Sequence, residues 1–523
     1  MDGLSPRTAD RAPLRGTLPH VSGTDVAAVI GAVGALGCLL GRSRATVAGG
    51  LVAIAVAETL LSRTFAPSAF DRLASPSGGV LLVFGAAAFA ALCAGFVRFA
   101  WTVPLVMVAL APIRLPFDFN TSKRFFIGLP EAGALGRLLP LYTALAAAAG
   151  ALVWRLLRGE SARALPPLLA APAALLIAVM SLSLLWARDP SAAANRLGFF
   201  VLPFAVLFTV ISYAPFGDGL PRILAIEAVV LGCVFAVIGI AEEWTHHLLF
   251  YESKLAVANS YTSYFRVTSL FSDPSIYARH VVVALTVLIV ALLLGRVSLA
   301  VCVPPLVVMW IGLYFSYSQS AMVSLAAATV LVTALAGGRR VRQLMAAATL
   351  ALVVLGSAAF VTLASDHSPD RLLSGRWTLV KDTWAVYENH PLVGVGVASQ
   401  PAASRDETSG ARYKRLKTSH TAPLTVAAEL GIAGILAYVA FLVGAALFFW
   451  RLRADDDALG LALLGVLTVL FTHSLSYGVF FEDPVLWVAL GVGAAAVLGR
   501  ERRAASAPPV RPRTVSEPAP AAR

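Results

Sequence analysis

TAPLTVAAELGIAGILAYVAFLVGAALFFW, residues 421–450, holds a single charged side chain, Glu429, in thirty positions. An α-helix needs about 20 apolar residues to cross a bilayer. The stretch is therefore long enough to span, with residues left over for a turn at the interface. Working outward from it, comparable runs fall near 25–41, 45–61, 78–97, 99–113, 138–157, 165–187, 195–213, 220–241, 279–295, 297–315, 318–336, 343–364, 457–473 and 483–499. The chain reads as an all-α, polytopic integral membrane protein.

Composition agrees. Of 523 residues, 58% are hydrophobic and 13% charged, against about 25% charged in soluble domains. The net charge of +12 does not point to nucleic acid, because the basic residues sit between and beyond the apolar runs, where they act as topology signals and contacts for anionic lipid. Cys38, Cys93, Cys233 and Cys302 all lie inside apolar runs and have the spacing of neither a metal site nor a disulfide framework.

Positive charge marks the cytoplasmic side. Arg155, Arg158 and Arg163, the cluster Arg339, Arg340 and Arg342, the pair Arg451 and Arg453, and the C-terminal tail all fall on one side. Carried back, fifteen crossings would put the N-terminal tail outside, although Arg7, Arg11 and Arg15 argue for inside. Either 99–113 or the Gly-rich 25–41 is then surplus, leaving about 14 spans. The organisation expected is a disordered basic tail over 1–24, membrane helices over 25–365 with an outward loop at 242–278, a large outward loop at 366–420, membrane helices over 421–499 and a disordered cytoplasmic tail over 500–523. Loops of this length tend to carry function.

The larger loop contains SGRWTLVKDTWAVYENHPLVGVGV, residues 374–397. Trp377, Val380, Trp384 and Tyr387 share one helical face, Ser374 is a candidate N-cap, and Pro391 stops the helix after Asn389. This predicts an amphipathic helix with an aromatic stripe at the membrane surface. Arg376 lies in its first turn, where free N–H groups and the helix dipole favour an anion; pairing with Asp370 or Asp382 is the structural alternative. Arg405, Arg412, Lys414, Arg415 and Lys417 follow, and His420 sits where the chain re-enters the membrane. Positive charge on a translocated loop runs against the topology rule; an anionic partner on the outer leaflet, such as a lipid pyrophosphate, explains it.

The first outward loop reads alike. YTSYFRVTSLFSDPSIYARH, residues 261–280, surrounds Arg266 with Tyr261, Tyr264, Phe265 and Phe271 and ends on Arg279-His280. Aromatics there suit either interfacial anchoring or stacking on sugar rings. No DxD pair, HExxH or cysteine cluster occurs in the loops, so no metal ligand set is evident. Asp455, Asp456 and Asp457 read as a helix start, and Gly394-x-Gly396 as a tight turn. Glu58, Glu227, Glu242, Glu243, Glu429 and His473 stand in or beside apolar runs, where ionisable groups are costly and point to function.

Four segments in combination carry a resemblance: FRVTSLFSDPSIYARH at 265–280, SYSQSA at 316–321, GRWTLVKDTWAVYENHPLVGVGV at 375–397 and SHTAPLTVAAELGIAGIL at 419–436. Together they resemble the O-antigen ligase and O-antigen polymerase superfamily of bacterial polysaccharide assembly proteins. The resemblance covers the second half of the chain. It implies a GT-C-like, metal- and cofactor-independent inverting glycosyltransferase of the bacterial cytoplasmic membrane with its active site facing outward. Such an enzyme takes a glycan from an undecaprenyl-pyrophosphate carrier and gives it to a hydroxyl on a glycan, lipid or protein acceptor. By the same resemblance Arg266 and Arg376 contact pyrophosphate and His420 is the catalytic or phosphate-orienting histidine, with Arg279, His390, Arg412 and Lys414 as further substrate-binding candidates. Thr421 and Ser318-Gln319 depart from the family's usual His-Asn and Ser-Arg. A transporter or flippase of lipid-linked glycan, or a non-catalytic partner in envelope assembly, is the alternative; the first would line a midplane path with charge, whereas the unusual residues here gather in outward loops and at span ends.

Overall fold

In a bilayer only pairing within the segment satisfies backbone N–H and C=O groups, so runs this apolar fold as helices. The computed structural model describes residues 22–65, 76–113, 117–119, 125–127, 138–250, 252–366, 376–409, 418–478 and 480–506. Its helices are α1 (Gly23–Leu40), α2 (Arg44–Phe65), α3 (Pro76–Arg98), α4 (Val103–Leu110), α5 (Leu139–Leu157), α6 (Pro167–Leu182), α7 (Pro190–Arg196), α8 (Leu202–Ser212), α9 (Leu220–Thr245) and α10 (Ser253–Tyr261). They continue with α11 (Pro274–Leu293), α12 (Leu299–Phe315), α13 (Gln319–Ala336), α14 (Arg339–Asp366), α15 (Arg376–Asn389), α16 (Gln400–Ser404), α17 (Ala422–Leu452), α18 (Asp457–Ser474) and α19 (Pro484–Ser506). A small antiparallel ribbon pairs β1 (Phe117–Phe119) with β2 (Phe125–Ile127). Apart from that ribbon the fold is the helical membrane architecture expected.

Among the described residues, 11 helices are long and apolar enough to cross a membrane, or 12 if the pair bent by 98° at Phe99 counts as one broken span. The 99–113 run, one of the two suspected surplus spans, is the short limb of that bent pair; the other suspect is the full-length α1. The 17-residue α12 is a shorter apolar helix, and the 28-residue α14 covers the apolar run at 343–364.

The bundle has two chemically different ends. At one, Arg155 pairs with Glu160 (2.6 Å), Arg503 with Asp218 (2.7 Å), Arg453 with Asp457 (2.9 Å) and Arg500 with Asp455 (3.6 Å). Asp456 caps α18 by accepting the Leu459 N–H at 3.0 Å, so the Asp455–Asp457 run is the helix start read from the sequence. Arg44 stands beside Gly159 at this basic end; α1 therefore begins at the opposite end, and the Arg7–Arg15 tail lies outside the described residues. The opposite end gathers the connections after α9, α12, α15 and α18.

Two apolar cores fill the body. The larger joins α1, α2, α5, α6, α8, α17, α18 and α19 around Phe204, Phe208, Phe441 and Trp487; the smaller joins α9, α11, α12 and α13 around Phe235, Tyr277 and Met309. Small residues let these backbones close up, the usual basis of helix packing in lipid: Gly232 lies against Ala284, and Gly312 against Ala236 and Tyr277. The cysteines are free thiols, with Cys38 and Cys302 packed as small core residues.

Candidate active site

The opening stretch is not one continuous helix. At Gly431, φ is 63° and ψ −157°, a conformation that glycine adopts at little steric cost. The break frees backbone groups in the middle of α17, and in lipid each must find a partner. The loop motif supplies them. Val395 N–H donates to the Ala428 carbonyl at 3.0 Å, Gly396 N–H to the Glu429 carbonyl at 2.8 Å, and Ile432 N–H donates to the Pro391 carbonyl at 2.8 Å. Gly394 and Gly396 both have positive φ, 67° and 91°; a Cβ on the first would strike the Glu429 carbonyl, and on the second Ala187. The tight turn read from Gly394-x-Gly396 is thus a splice that repairs a broken membrane helix.

The other edge of the splice is the α6–α7 connection. Arg188 N–H donates to the Val395 carbonyl at 3.0 Å, Val397 N–H to Ser183 Oγ at 3.0 Å, and Trp186 Nε1 to the Val393 carbonyl at 3.2 Å. Side chains reinforce it. Glu407 accepts from Arg188, from Asn389 Nδ2 at 3.0 Å and meets His390 Nε2 at 3.0 Å. Burial alone pushes the Glu407 carboxyl up, but hydrogen bonds from Asn389, His390 and Arg188 outweigh it and hold the group below the usual carboxylate range. His390 therefore serves as part of a clasp around Glu407.

Beneath the splice, Arg196 bridges Glu482 at 2.7 Å and Glu429 at 3.9 Å. The neighbouring Asp483 pairs with Arg279 at 2.5 Å, with both side chains about 1% exposed. The Glu482-Asp483 pair thus ties α7 and α17 to α11. Glu242, another carboxylate in an apolar run, accepts the N–H groups of Leu249 (2.8 Å), Thr268 (2.8 Å) and Ser269 (2.7 Å) and so shapes the connection between α9 and α11. His473 Nε2 lies 3.3 Å from Ser320 Oγ, joining α18 to the SYSQSA segment.

His420 sits above this layer, half-buried, with φ 58°, in a left-handed conformation that non-glycine residues adopt sparingly. Gly478 packs flush against its backbone, and Thr421 Oγ1 donates to the Leu475 carbonyl at 3.3 Å. Burial, and then the positive charge of Arg376, push its pKa below the usual value near 6.5, while Asp273 opposes them. The charges of Arg376, at the start of α15, and of Asp273, the N-cap of α11, thus both reach His420; Asp273 Oδ1 accepts from Ser275 N–H at 2.7 Å. A neutral imidazole is the form that accepts a proton.

Arg266 is held by its backbone and one guanidinium nitrogen. Asn259 accepts its N–H at 3.1 Å and donates to its carbonyl at 3.0 Å, and Arg266 Nε donates to the Ser316 carbonyl at 3.2 Å. Among the described residues, neither Arg266 nor Arg376 enters an ion pair, in contrast to Arg188, Arg196 and Arg279. α15 forms from Arg376 onward as predicted; it packs inward through Thr383 and Val386, leaving Trp377 (41%) and Trp384 (50%) exposed. Arg412 and Lys414, with Ser374 and Asp370, lie outside the described residues.

Arg196, Glu407, Asp273 and the Glu482-Asp483 pair went unassigned from sequence. Acidic residues immediately before a proline at a span start, as in Asp189-Pro190, Asp273-Pro274 and Asp483-Pro484, were the available signal: Asp189 and Asp273 cap their helices.

No curated protein matches the chain. Residues 304–439 match the family model described as O-Antigen ligase, a region that takes in SYSQSA, α15, the splice, His420 and the break at Gly431. With that match the chain's resemblance to the O-antigen ligase and O-antigen polymerase superfamily is borne out, while Arg196, Arg266, Asp273 and Arg279 lie before the matched residues.

Proposed function

We propose that the protein is a membrane glycosyltransferase that moves a glycan from an undecaprenyl-pyrophosphate carrier to an acceptor hydroxyl at the outer face of the bacterial cytoplasmic membrane. The observation that carries this reading is a half-buried His420 within reach of the Arg376 charge, on the stretch that matches the family model; Arg376 and Arg266 both lack an ion pair among the described residues. The arginine-rich opposite end supports a cytoplasmic placement for that end by the positive-inside rule, and hence an outward one for His420.

The chemistry is a single displacement. The acceptor oxygen attacks C1 of the sugar bonded to pyrophosphate, its proton passes to the His420 imidazole, and the C1–O bond breaks with its electron pair going to the pyrophosphate oxygen. Attack opposite the leaving group inverts the anomeric centre. Negative charge builds on the leaving group, and Arg266 and Arg376 are assigned to absorb it; guanidinium forks match phosphate oxygens and stay protonated. The reaction so written needs no metal ion.

The test is in-membrane transfer from an undecaprenyl-pyrophosphate-linked glycan with EDTA present. Wild-type activity should survive the chelator, and Arg376→Ala and His420→Ala should each lose about 10²–10³ in rate. Near-wild-type transfer by both variants would overturn the assignment. Wild-type inactivity across several donors and acceptors would move the transporter and scaffold readings ahead. Product length distinguishes polymerase from ligase.

A further inference from the structure

Beside Arg266 the α12–α13 connection and the first outward loop bring three tyrosines together. Tyr264 and Tyr317 have ring centroids 4.5 Å apart, and Tyr314 and Tyr317 5.7 Å. Tyr264 and Tyr314 stay well exposed, at 42% and 57%. Tyr317 adopts φ 50°, a left-handed backbone that a bulky side chain takes only where its surroundings impose it. The residue before it, Ser316, is the one whose carbonyl fixes Arg266. Glu243 is close enough for its charge to act on the Tyr317 phenol, and Glu243 Oε2 is buried with no hydrogen-bond partner among the described residues.

We infer that Tyr264, Tyr314 and Tyr317 with Glu243 form a sugar subsite that takes the pyranose attached directly to the donor's pyrophosphate. The inference rests on the reading of Arg266 as a pyrophosphate contact. Given that role, the geometry follows from covalent structure, because the first sugar begins one glycosidic bond from the phosphate and must lie next to whichever cation holds it. The aromatic faces offer an apolar surface to the C–H face of a pyranose, and a carboxylate oxygen with no hydrogen-bond partner among the described residues can accept its hydroxyls, the combination of apolar wall and few placed polar groups typical of small-ligand sites. Interfacial anchoring accounts less well for the arrangement. Anchoring aromatics lie around the circumference at headgroup level, whereas these three cluster on one another at the residue next to the one that holds Arg266, with the buried Oε2 of Glu243 within electrostatic reach.

The experiment compares binding of two probes to the full chain in nanodiscs: undecaprenyl pyrophosphate and undecaprenyl-pyrophosphoryl N-acetylglucosamine. Wild type should prefer the sugar-bearing probe. Tyr264→Ala with Tyr314→Ala, and separately Glu243→Gln, should each weaken that probe roughly three- to tenfold and leave the sugar-free probe unchanged, which also certifies folding. Tyr264→Phe with Tyr314→Phe should keep the preference, and Arg266→Ala should weaken both probes alike. A preference that survives the alanine and Glu243→Gln variants, or wild-type binding equal for the two probes, would overturn the subsite while leaving the lipid-carrier reading intact. Failure of wild type to bind either probe would overturn both.

Discussion

The Glu429 carbonyl, freed from its own helix by Gly431, accepts the Gly396 N–H of a loop at 2.8 Å. A membrane helix is thereby completed by a segment some thirty residues upstream, and the 391–396 loop is anchored on both sides of the break. The candidate site depends on this joint as much as on its charged side chains.

Gly394→Ala and Gly396→Ala should both damage the joint. Each forces a left-handed residue to carry a Cβ, costing about 1–2 kcal/mol, and each adds a collision with Glu429 or Ala187. Thermal unfolding in detergent should show a loss of several degrees with reduced transfer. Alanine at Gly338, around which a Cβ meets nothing within 4 Å, is the control.

The pH profile of transfer should report His420. Burial and then Arg376 lower its pKa, so the base is neutral at pH 7 and activity should fall only as pH drops below the usual histidine value of about 6.5. Removing a positive charge that disfavours the imidazolium raises the pKa. In Arg376→Gln the acid limb should therefore move to higher pH, on top of a lower plateau. Asp273→Asn, which keeps a capping side chain but removes the opposing charge, should move it to lower pH. Limbs that do not move in these directions would remove His420 from proton transfer.

Arg266→Lys and Arg376→Lys should both be impaired, because an ammonium cannot reproduce a bidentate fork on phosphate. Single-turnover transfer in membranes should show the loss in the chemical step; wild-type rates for either lysine variant would contradict its place in the site.

Glu407 makes its contribution to stability pH-dependent. Its folded pKa is depressed, so the stabilisation is present above the unfolded value of about 4.3 and is lost as pH falls through the folded one. Wild type should unfold at a higher temperature than Glu407→Gln at pH 7, and the gap should close in the acid range below that value.

Asp483→Asn should destabilise the bundle strongly, since removing one partner of a buried ion pair costs about 3–5 kcal/mol. Replacing both Arg279 and Asp483 by Met and Leu should recover much of that, as judged by unfolding temperature. No recovery would mean that Arg279 does more than pair with Asp483.

Much of the fold was legible in the sequence because span length and apolarity are local properties. The run at 99–113 was harder, because the same composition serves a full crossing or the short limb of a bend, and the choice is made by packing against neighbours. In the site, Arg376 and His420 were legible as charged residues at helix and span starts. The 3.9 Å approach of Arg196 to Glu429 and the Arg279–Asp483 pair join residues more than 200 positions apart, which no spacing rule reaches. Gly431 was visible as a glycine, but the break it makes was not, since a lone glycine is tolerated in most membrane helices.

The splice has one more consequence. Its bonds to α17 run from main chain to main chain, so they are indifferent to the side chains at Leu392 and Val393, which stand 71% and 55% exposed. The side chains on the rim of the loop can therefore change while the joint beneath it keeps its shape.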